Sequence, residues 1–153
     1  MGKGTYSLIL KLENDQHIEI GKLGKFLFKK GYYVYSGSAL GGFGRVKYHL
    51  KKNKNKRWHI DYLLDNAKII KIFLSEVEKN YEHEVSKSLS NSKNAEVLVR
   101  GFGSSDCKEG CPSHLIYFSE NPEISDIYQR LNLKYLILEE SDFKNMQCFK
   151  IQF

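Results

Sequence analysis

The chain has 153 residues, with 41% hydrophobic and 27% charged side chains, and its formal net charge is +6. This length predicts one globular domain with its own core, and the composition excludes a fibrous or wholly disordered protein. No apolar run approaches the roughly 20 residues that cross a bilayer, and the N-terminal stretch becomes acidic before a signal-peptide core develops. We therefore expect a cytoplasmic protein without a membrane partner, whose positive charge favours polyanions.

A run of short strands is predicted at the N-terminus. Apolar residues alternate over residues 4–12, which is typical of a half-buried strand. Further strands are predicted at 17–21, 25–28 and 32–35, each after a short loop, so together they predict a small antiparallel meander. Strand propensity falls at Ser36, Gly37 and Ser38, where we expect a turn.

This turn leads into a predicted basic helix, in which Phe43, Val46 and Leu50 fall at helical spacing. The opposite side of the helix carries four polar residues, Arg45, Tyr48, His49 and Lys52. No acidic residue occurs between Gly42 and Arg57, which fits either a solvated helix end or a track for a phosphate backbone. The second hypothesis assigns nucleic-acid binding to six basic residues: Lys47, Lys51, Lys52, Lys54, Lys56 and Arg57.

The remainder mixes predicted helices and strands without strict alternation. Helices are predicted at 58–64, 80–89 and 122–131, and strands at 68–74, 95–99, 114–118, 134–138 and 148–153. Asn80 is the expected helix cap, and Pro122 is expected at the first helical position. This order predicts an α+β fold, with a small mixed or antiparallel sheet flanked by helices.

Two tyrosine motifs, Gly4-Thr5-Tyr6 and Tyr35-Ser36-Gly37, together with Arg45 and His49, resemble the GIY-YIG nuclease superfamily. More closely, the chain resembles a small GIY-YIG-like family labelled domain of unknown function 123, some members of which are fused to endonuclease III. That closer likeness also rests on GKLGKFLFKKGYYVYSGSALGG, WHIDYLL, GFGSSDC and SHLIYF. It implies a GIY-YIG-like domain over residues 1–118 and leaves residues 119–153 as a C-terminal extension packed on the same domain. The hairpin predicted at 17–28 departs from the superfamily pattern, in which the two tyrosine motifs lie closer together in sequence.

The resemblance implies a role for each site residue. Tyr6 would be the general base, Tyr35 its positioning partner and Arg45 the clamp on the scissile phosphate. His49 would orient water or protonate the leaving oxygen. A later glutamate, Glu82 or Glu84, would hold one Mg²⁺ or Mn²⁺ ion. Taken alone, the same tyrosines also fit ordinary core positions, and the glutamates also fit an exposed helix face.

The helix predicted at 58–64 contains two further polar residues, His59 and Asp61. They lie two positions apart, so on a helix they face apart and make a poor metal pair. Each could instead support the site or form a hydrogen bond between helices.

A cysteine-containing loop offers a second metal hypothesis. Cys107, Cys111 and His114 lie close together in sequence, and His83 is a candidate fourth ligand for zinc. Close relatives in the resembled family tend to carry a cysteine at the position of His83. The alternatives are buried thiols, or a reversible disulfide between Cys107 and Cys111.

Three functions remain open at this point. The leading hypothesis is a metal-dependent DNA endonuclease, for which the endonuclease III fusions of relatives imply a role in DNA repair. The alternatives are a catalytically inactive nucleic-acid-binding module with the same fold and a protein-interaction domain. The sequence does not distinguish DNA from RNA or fix the oligomeric state.

Overall fold

The computed structural model describes residues 4–39, 42–51, 55–103 and 112–146. The strands are β1 (Gly4–Leu12), β2 (Gln16–Ile20), β3 (Gly24–Phe28), β4 (Gly31–Ala39), β5 (Lys68–Glu76), β6 (Leu115–Phe118) and β7 (Leu136–Glu139). The helices are α1 (Gly44–His49), α2 (His59–Leu63), α3 (Glu82–Ser90), α4 (Ser125–Arg130) and α5 (Glu140–Met146). The predicted α+β fold is confirmed. None of the helices in these ranges is long and apolar enough to cross a membrane.

Five strands form one antiparallel sheet in the order β6-β4-β1-β5-β7. Strand β1 is therefore central, and the prediction that it is half-buried is wrong, because both of its faces are covered. Tyr6, Leu8 and Leu10 face one apolar cluster with residues of α1 and α2, whereas Ile9 faces a second cluster with residues of α3 and α4.

The strands do not form the predicted meander, because β1 pairs with β4 and β5 and not with β2. Strands β2 and β3 pair only with each other, as a separate two-stranded hairpin. The additional hairpin predicted between the two tyrosine motifs is thus present between β1 and β4. Its residues Ile18, Ile20 and Phe28 pack in the same cluster as Tyr6.

Strand β4 continues through the segment where a turn was predicted. The register pairs Ser36 with Ser7, Gly37 with Tyr6 and Ala39 with Gly4. Backbone pairing to the central strand outweighs the weak strand propensity of serine and glycine. The extended pairing places the phenol of Tyr6 directly over Gly37.

Several other boundaries differ from the predictions. Residues 95–99 form no strand, and their pairing is a single bridge between Glu96 and Tyr117. Helix α4 begins at Ser125 instead of Pro122, and α5 follows β7 where no helix was predicted. The strand predicted at 148–153 lies outside the described residues.

The chain after Phe118 contributes to the main sheet and to the core. Strand β7 pairs with β5, and α4 places Tyr128 against the second cluster. The hydroxyl of Tyr128 lies 2.7 Å from Oγ of Ser7, which in turn lies 2.8 Å from Oγ of Ser36. All three side chains are buried, so this hydrogen-bond network joins α4 to β1 and β4.

Replacing Tyr128 with Phe should therefore destabilise the domain by about 1 kcal/mol, because one buried hydrogen bond is removed. Chemical denaturation of the purified protein measures this change. Tyr135→Phe is the matched control, since its hydroxyl accepts an exposed hydrogen bond from Gln129 and its removal should cost less than about 0.5 kcal/mol. Equal effects of the two substitutions would contradict the role of the buried network.

The close approach of Tyr6 to Gly37 gives a second prediction. A Cβ atom at position 37 would lie 2.6 Å from Cζ of the buried Tyr6 ring, which is too close for the present packing. Gly37→Ala should therefore cost about 1–3 kcal/mol of stability and displace the phenol. In Gly44→Ala the new methyl group meets nothing within 4 Å, so that variant is the control and should be at least as stable as the parent. An undisturbed unfolding midpoint for Gly37→Ala would refute this prediction.

Candidate active site

Four side chains expected at a catalytic site belong to three neighbouring elements: Tyr6 on β1, Tyr35 on β4, and Arg45 and His49 on α1. The Tyr6 ring centroid lies 6.4 Å from that of Tyr35 and 5.6 Å from that of His49. The Tyr35 and His49 rings are 6.3 Å apart. The three rings therefore form one compact aromatic group.

The sheet register explains why the two tyrosines meet. Tyr6 pairs with Gly37 and Leu8 pairs with Tyr35, so both tyrosines project from the same face of adjacent strands. Since Gly37 has no side chain, the space above it is available to the Tyr6 ring. Gly103 performs a similar role for Tyr35, because a Cβ at position 103 would lie 2.9 Å from Cε1 of that tyrosine.

A hydrogen bond fixes the end of the Tyr6 side chain. Its hydroxyl oxygen lies 2.9 Å from Nε2 of His49. His49 was predicted on the polar side of α1, but it is buried, like Val46 of the same helix. The side of this short helix that carries Val46 and His49 faces the sheet. The imidazole therefore lies in the core beside the phenol.

Burial dominates the acid–base behaviour of both tyrosines. It raises the pKa of Tyr6 well above 10.0, Tyr35 adds to the increase, and Arg45 opposes it. Burial also raises the pKa of Tyr35, followed by the negative charge of Glu82, again against Arg45. Both phenols are therefore neutral near pH 7, and forming a phenolate here requires a group that accepts the proton.

Arg45 is the exposed member of this set, so solvent meets the cluster at its guanidinium group. Nη1 donates a hydrogen bond of 2.8 Å to the carbonyl oxygen of Ser38, at the end of β4. The guanidinium also lies over the Trp58 ring, 4.8 Å from its centroid. These contacts hold a planar cation at the entrance, with donors suited to a phosphate.

The two candidate carboxylates occupy different environments. Glu82 has an 18% exposed side chain near His83, and its charge contributes to the raised pKa of both tyrosines. Glu84 has a 39% exposed side chain, and its carboxylate lies 4.0 Å from Nζ of Lys79. Glu82 is consequently the carboxylate that interacts with the aromatic group.

Local hydrogen bonds place Glu82 beside the strand that carries Tyr6. The amide of Tyr81 donates to Oγ1 of Thr5 at 3.0 Å, which ties the start of α3 to β1. Asn80, predicted as the cap of this helix, instead precedes the Tyr81 cap position, but its Oδ1 accepts from the Glu82 amide at 2.9 Å.

The number and type of possible ligands near the tyrosines indicate which metal ion the site could hold. Within residues 4–39, 42–51, 55–103 and 112–146, no three His, Cys, Asp or Glu side chains converge in a way that could hold a metal ion. A single carboxylate such as Glu82 fits Mg²⁺ or Mn²⁺, because such hard cations take oxygen ligands and Mg²⁺ usually keeps several bound waters. Zinc in a structural site requires four protein ligands.

Asp61 was expected as a supporting or interhelix hydrogen-bonding group, and its position beside His49 of α1 agrees with that expectation; which residue it contacts was not predicted. Its Oδ1 lies 3.5 Å from Nδ1 of His49, and both side chains are fully buried. Its Oδ2 accepts from the backbone amides of Arg57 at 2.7 Å and Trp58 at 3.0 Å. The available sequence clue was an acidic residue in the first turn of a predicted helix, where it caps the helix and can also contact a neighbour.

The neighbouring His59 faces a different part of the molecule. Its Nδ1 accepts a hydrogen bond of 2.8 Å from the backbone amide of Gly103, and its ring packs edge-on against Phe102. Burial lowers the pKa of His59, which favours the neutral ring that this acceptor role requires. His59 therefore connects α2 to the segment that covers Tyr35.

The predicted nucleic-acid-binding residues do not form a uniform row. Lys47, Lys51 and Arg57 are exposed, and the latter two lie over the Tyr48 ring at 5.7 and 5.3 Å. Lys56 pairs with Asp65 at 3.0 Å. Lys52 and Lys54 lie outside the described residues.

Of the four proposed zinc ligands, the two histidines lie within the described residues. The rings of His83 and His114 are 5.4 Å apart, and no hydrogen-bond partner contacts Nε2 of the buried His114 among the described residues. Burial lowers the pKa of His114, and the neutral ring that results is the form that binds metals. Cys107 and Cys111 lie outside the described residues, so the zinc site stays a prediction that metal analysis of the purified protein would check.

Comparison with known proteins identifies a family but no activity. No curated protein and no solved structure matches the chain. Residues 5–136 match the family model described as Domain of unknown function DUF123. The match continues past Phe118, where the motifs noted in the sequence end, and includes α4. Because it covers well over half of the residues, the chain belongs to the DUF123 family.

Proposed function

We propose that this protein is a metal-dependent endonuclease that hydrolyses phosphodiester bonds of DNA in the cytoplasm, with DNA repair as the process it serves. The observation that carries the proposal is the meeting of Tyr6, Tyr35 and His49 beneath an exposed arginine. This is the arrangement that the resemblance to GIY-YIG nucleases implies. Arg45 is exposed and the Tyr6 phenol lies deeper, so an approaching phosphate would contact the arginine first.

Arg45 supplies the electrostatic part of the proposed reaction. Its planar fork can donate two parallel hydrogen bonds to the non-bridging oxygens of a phosphate. Stacking over Trp58 and bonding to Ser38 reduce the entropy lost when the phosphate binds. Negative charge that develops on the phosphate oxygens would be stabilised by this fixed donor.

Tyr6 and His49 supply the acid–base part. Since burial keeps the Tyr6 phenol protonated, it needs a proton acceptor before it can act as a base. Nε2 of His49, 2.9 Å from the hydroxyl, is in position to accept that proton. This differs from the role first expected for His49, which was direct contact with water or the leaving oxygen. Tyr35 packs against both rings and holds them in place.

The metal ion would be held by Glu82, with Tyr6 and Arg45 nearby. When bound, Mg²⁺ or Mn²⁺ supplies positive charge to the phosphate and to the leaving oxygen. Glu82 fits this task better than Glu84, because the Glu82 charge acts on both tyrosines. Zinc at His83, His114, Cys107 and Cys111 would be a separate, structural ion.

The second candidate function is a catalytically inactive nucleic-acid-binding module. The observation that favours it is the complete burial of the Tyr6 side chain, which makes a phenolate costly and keeps the hydroxyl from solvent. Such a module would retain the exposed Arg45, Lys47 and Arg57 but would not cut. Both candidates predict nucleic-acid binding, and substitution separates them.

Tyr6→Phe and Arg45→Ala should each reduce Mg²⁺- or Mn²⁺-dependent cleavage about a hundredfold or more, because each removes one group that acts in the transition state. Binding should persist in both variants. Cleavage is assayed on plain duplex, branched, single-stranded and damaged DNA and on RNA. Tyr128→Phe is the control, because it removes another buried hydroxyl from the opposite face of the sheet and should leave cleavage unchanged. Tight binding by the parent without cleavage of any substrate would favour the binding module.

Neutralising Lys47, Lys51 and Arg57 should weaken binding to all sequences alike. For every phosphate that a variant no longer neutralises, the slope of log K against log salt should fall by about 0.9. Titrations by fluorescence anisotropy at several salt concentrations measure this slope. Neutralising the exposed Lys87 and Lys93, at the end of α3 and just after it, is the control and should leave the slope unaltered. A slope that responds equally to both sets would show that only total charge matters.

A further inference from the structure

We propose that Asp61 is a positioning residue that fixes the tautomer of His49, so that Nε2 of the imidazole accepts the hydroxyl proton of Tyr6. The catalytic consequence rests on the proposed nuclease function, whereas the tautomer itself does not. Tyr6, His49 and Asp61 come from β1, α1 and α2, and they form a continuous polar chain within the core.

The geometry of Asp61 assigns a different task to each of its oxygens. Oδ2 accepts both backbone amides at the start of α2, from Arg57 and Trp58. Oδ1 points to Nδ1 of His49 at 3.5 Å and has no hydrogen-bond partner within the usual distance among the described residues. Asp61 is 1% exposed and His49 is 2% exposed, so this contact is shielded from bulk solvent.

The chemistry of these groups decides which ring nitrogen of His49 carries the hydrogen. An ionised carboxylate only accepts, so the ring nitrogen that faces it must carry the hydrogen. A neutral imidazole has one N–H, and a hydrogen on Nδ1 leaves Nε2 as an acceptor. The hydroxyl of Tyr6 must then donate to Nε2, which is the direction needed for loss of its proton.

Asp61 remains ionised in this surrounding. Burial raises its pKa, but His49 and the two amides of α2 outweigh burial and lower the pKa below its usual value. The charge is thus available to stabilise an imidazolium when the Tyr6 proton arrives. The arrangement has the same logic as an aspartate that orients a histidine toward a hydroxyl nucleophile, with a phenol in place of the serine.

The proton transfers balance over one reaction. The Tyr6 proton moves to Nε2 of His49. The resulting phenolate then takes a proton from the attacking water while the water oxygen forms a bond to phosphorus. The bond from phosphorus to the leaving oxygen breaks, and the leaving alkoxide gains the His49 proton by way of solvent. Tyr6 and His49 both return to their starting states.

The test is nitrogen-15 NMR of the His49 ring in the parent protein and in Asp61→Asn, with a His49→Gln spectrum to assign the signals. In the parent we expect hydrogen on Nδ1 and none on Nε2. In Asp61→Asn the amide oxygen can still accept from Arg57 and Trp58, while its NH₂ group faces His49. Nδ1 must then accept, so the hydrogen should move to Nε2. Asp65→Asn is the control, because Asp65 is exposed and pairs with Lys56.

Cleavage and binding by the same variants complete the experiment. Asp61→Asn should lower kcat at least about a hundredfold with unchanged affinity for nucleic acid, because the wrong nitrogen then faces Tyr6. Hydrogen on Nε2, or on both nitrogens, in the parent protein would overturn the proposal without any variant. A tautomer unchanged by Asp61→Asn would overturn it as well. If the tautomer changes as expected but the parent cuts nothing, the role of Asp61 stands and the nuclease proposal fails.

Discussion

The site depends on the pairing of Tyr6 with Gly37 across β1 and β4. This register places a large phenol over a residue without a side chain, and it sets Tyr35 on the same face of the adjacent strand. The two tyrosine motifs therefore meet through the sheet and not through sequence proximity, although the hairpin β2–β3 lies between them in the chain. A one-residue shift of the register between β1 and β4 would place the two phenols on opposite faces of the sheet.

The phenol of Tyr6 is fully buried, and this burial decides which partners its hydroxyl needs. A hydroxyl in the core needs a hydrogen-bond partner, and His49 provides one from α1. The imidazole in turn lies against the carboxylate of Asp61, whose other oxygen caps α2. The chain of polar contacts thus links three elements and also organises the ends of two helices. Arg45 is exposed where this buried chain approaches solvent, so an approaching anion would meet the guanidinium before the phenol.

Periodicity and local composition predicted much of this architecture, while recognition of the site was uneven. The alternation from Tyr6 to Leu12 located β1, but the length of β4 could not be predicted, because Ser36 and Gly37 join the sheet only through β1. The two tyrosines, Arg45 and His49 were identified through their resemblance to the GIY-YIG superfamily. Asp61 lies in the family motif WHIDYLL, but the motif does not show its contact with His49, which appears only when α2 packs beside α1. The choice of Glu82 over Glu84 likewise depends on which side of α3 faces the sheet.

Recognition of a phosphate at Tyr6 and Arg45 is the step on which the proposed function depends. A crystal structure of the protein with a short DNA duplex and Ca²⁺, which resembles Mg²⁺ in its oxygen ligands, tests it most directly. We predict a phosphate bonded to the Arg45 guanidinium, within hydrogen-bond distance of the Tyr6 hydroxyl, and a cation on Glu82. A DNA backbone bound only to the lysines, with the Tyr6 hydroxyl still buried and hydrogen-bonded to His49, would contradict the proposed function.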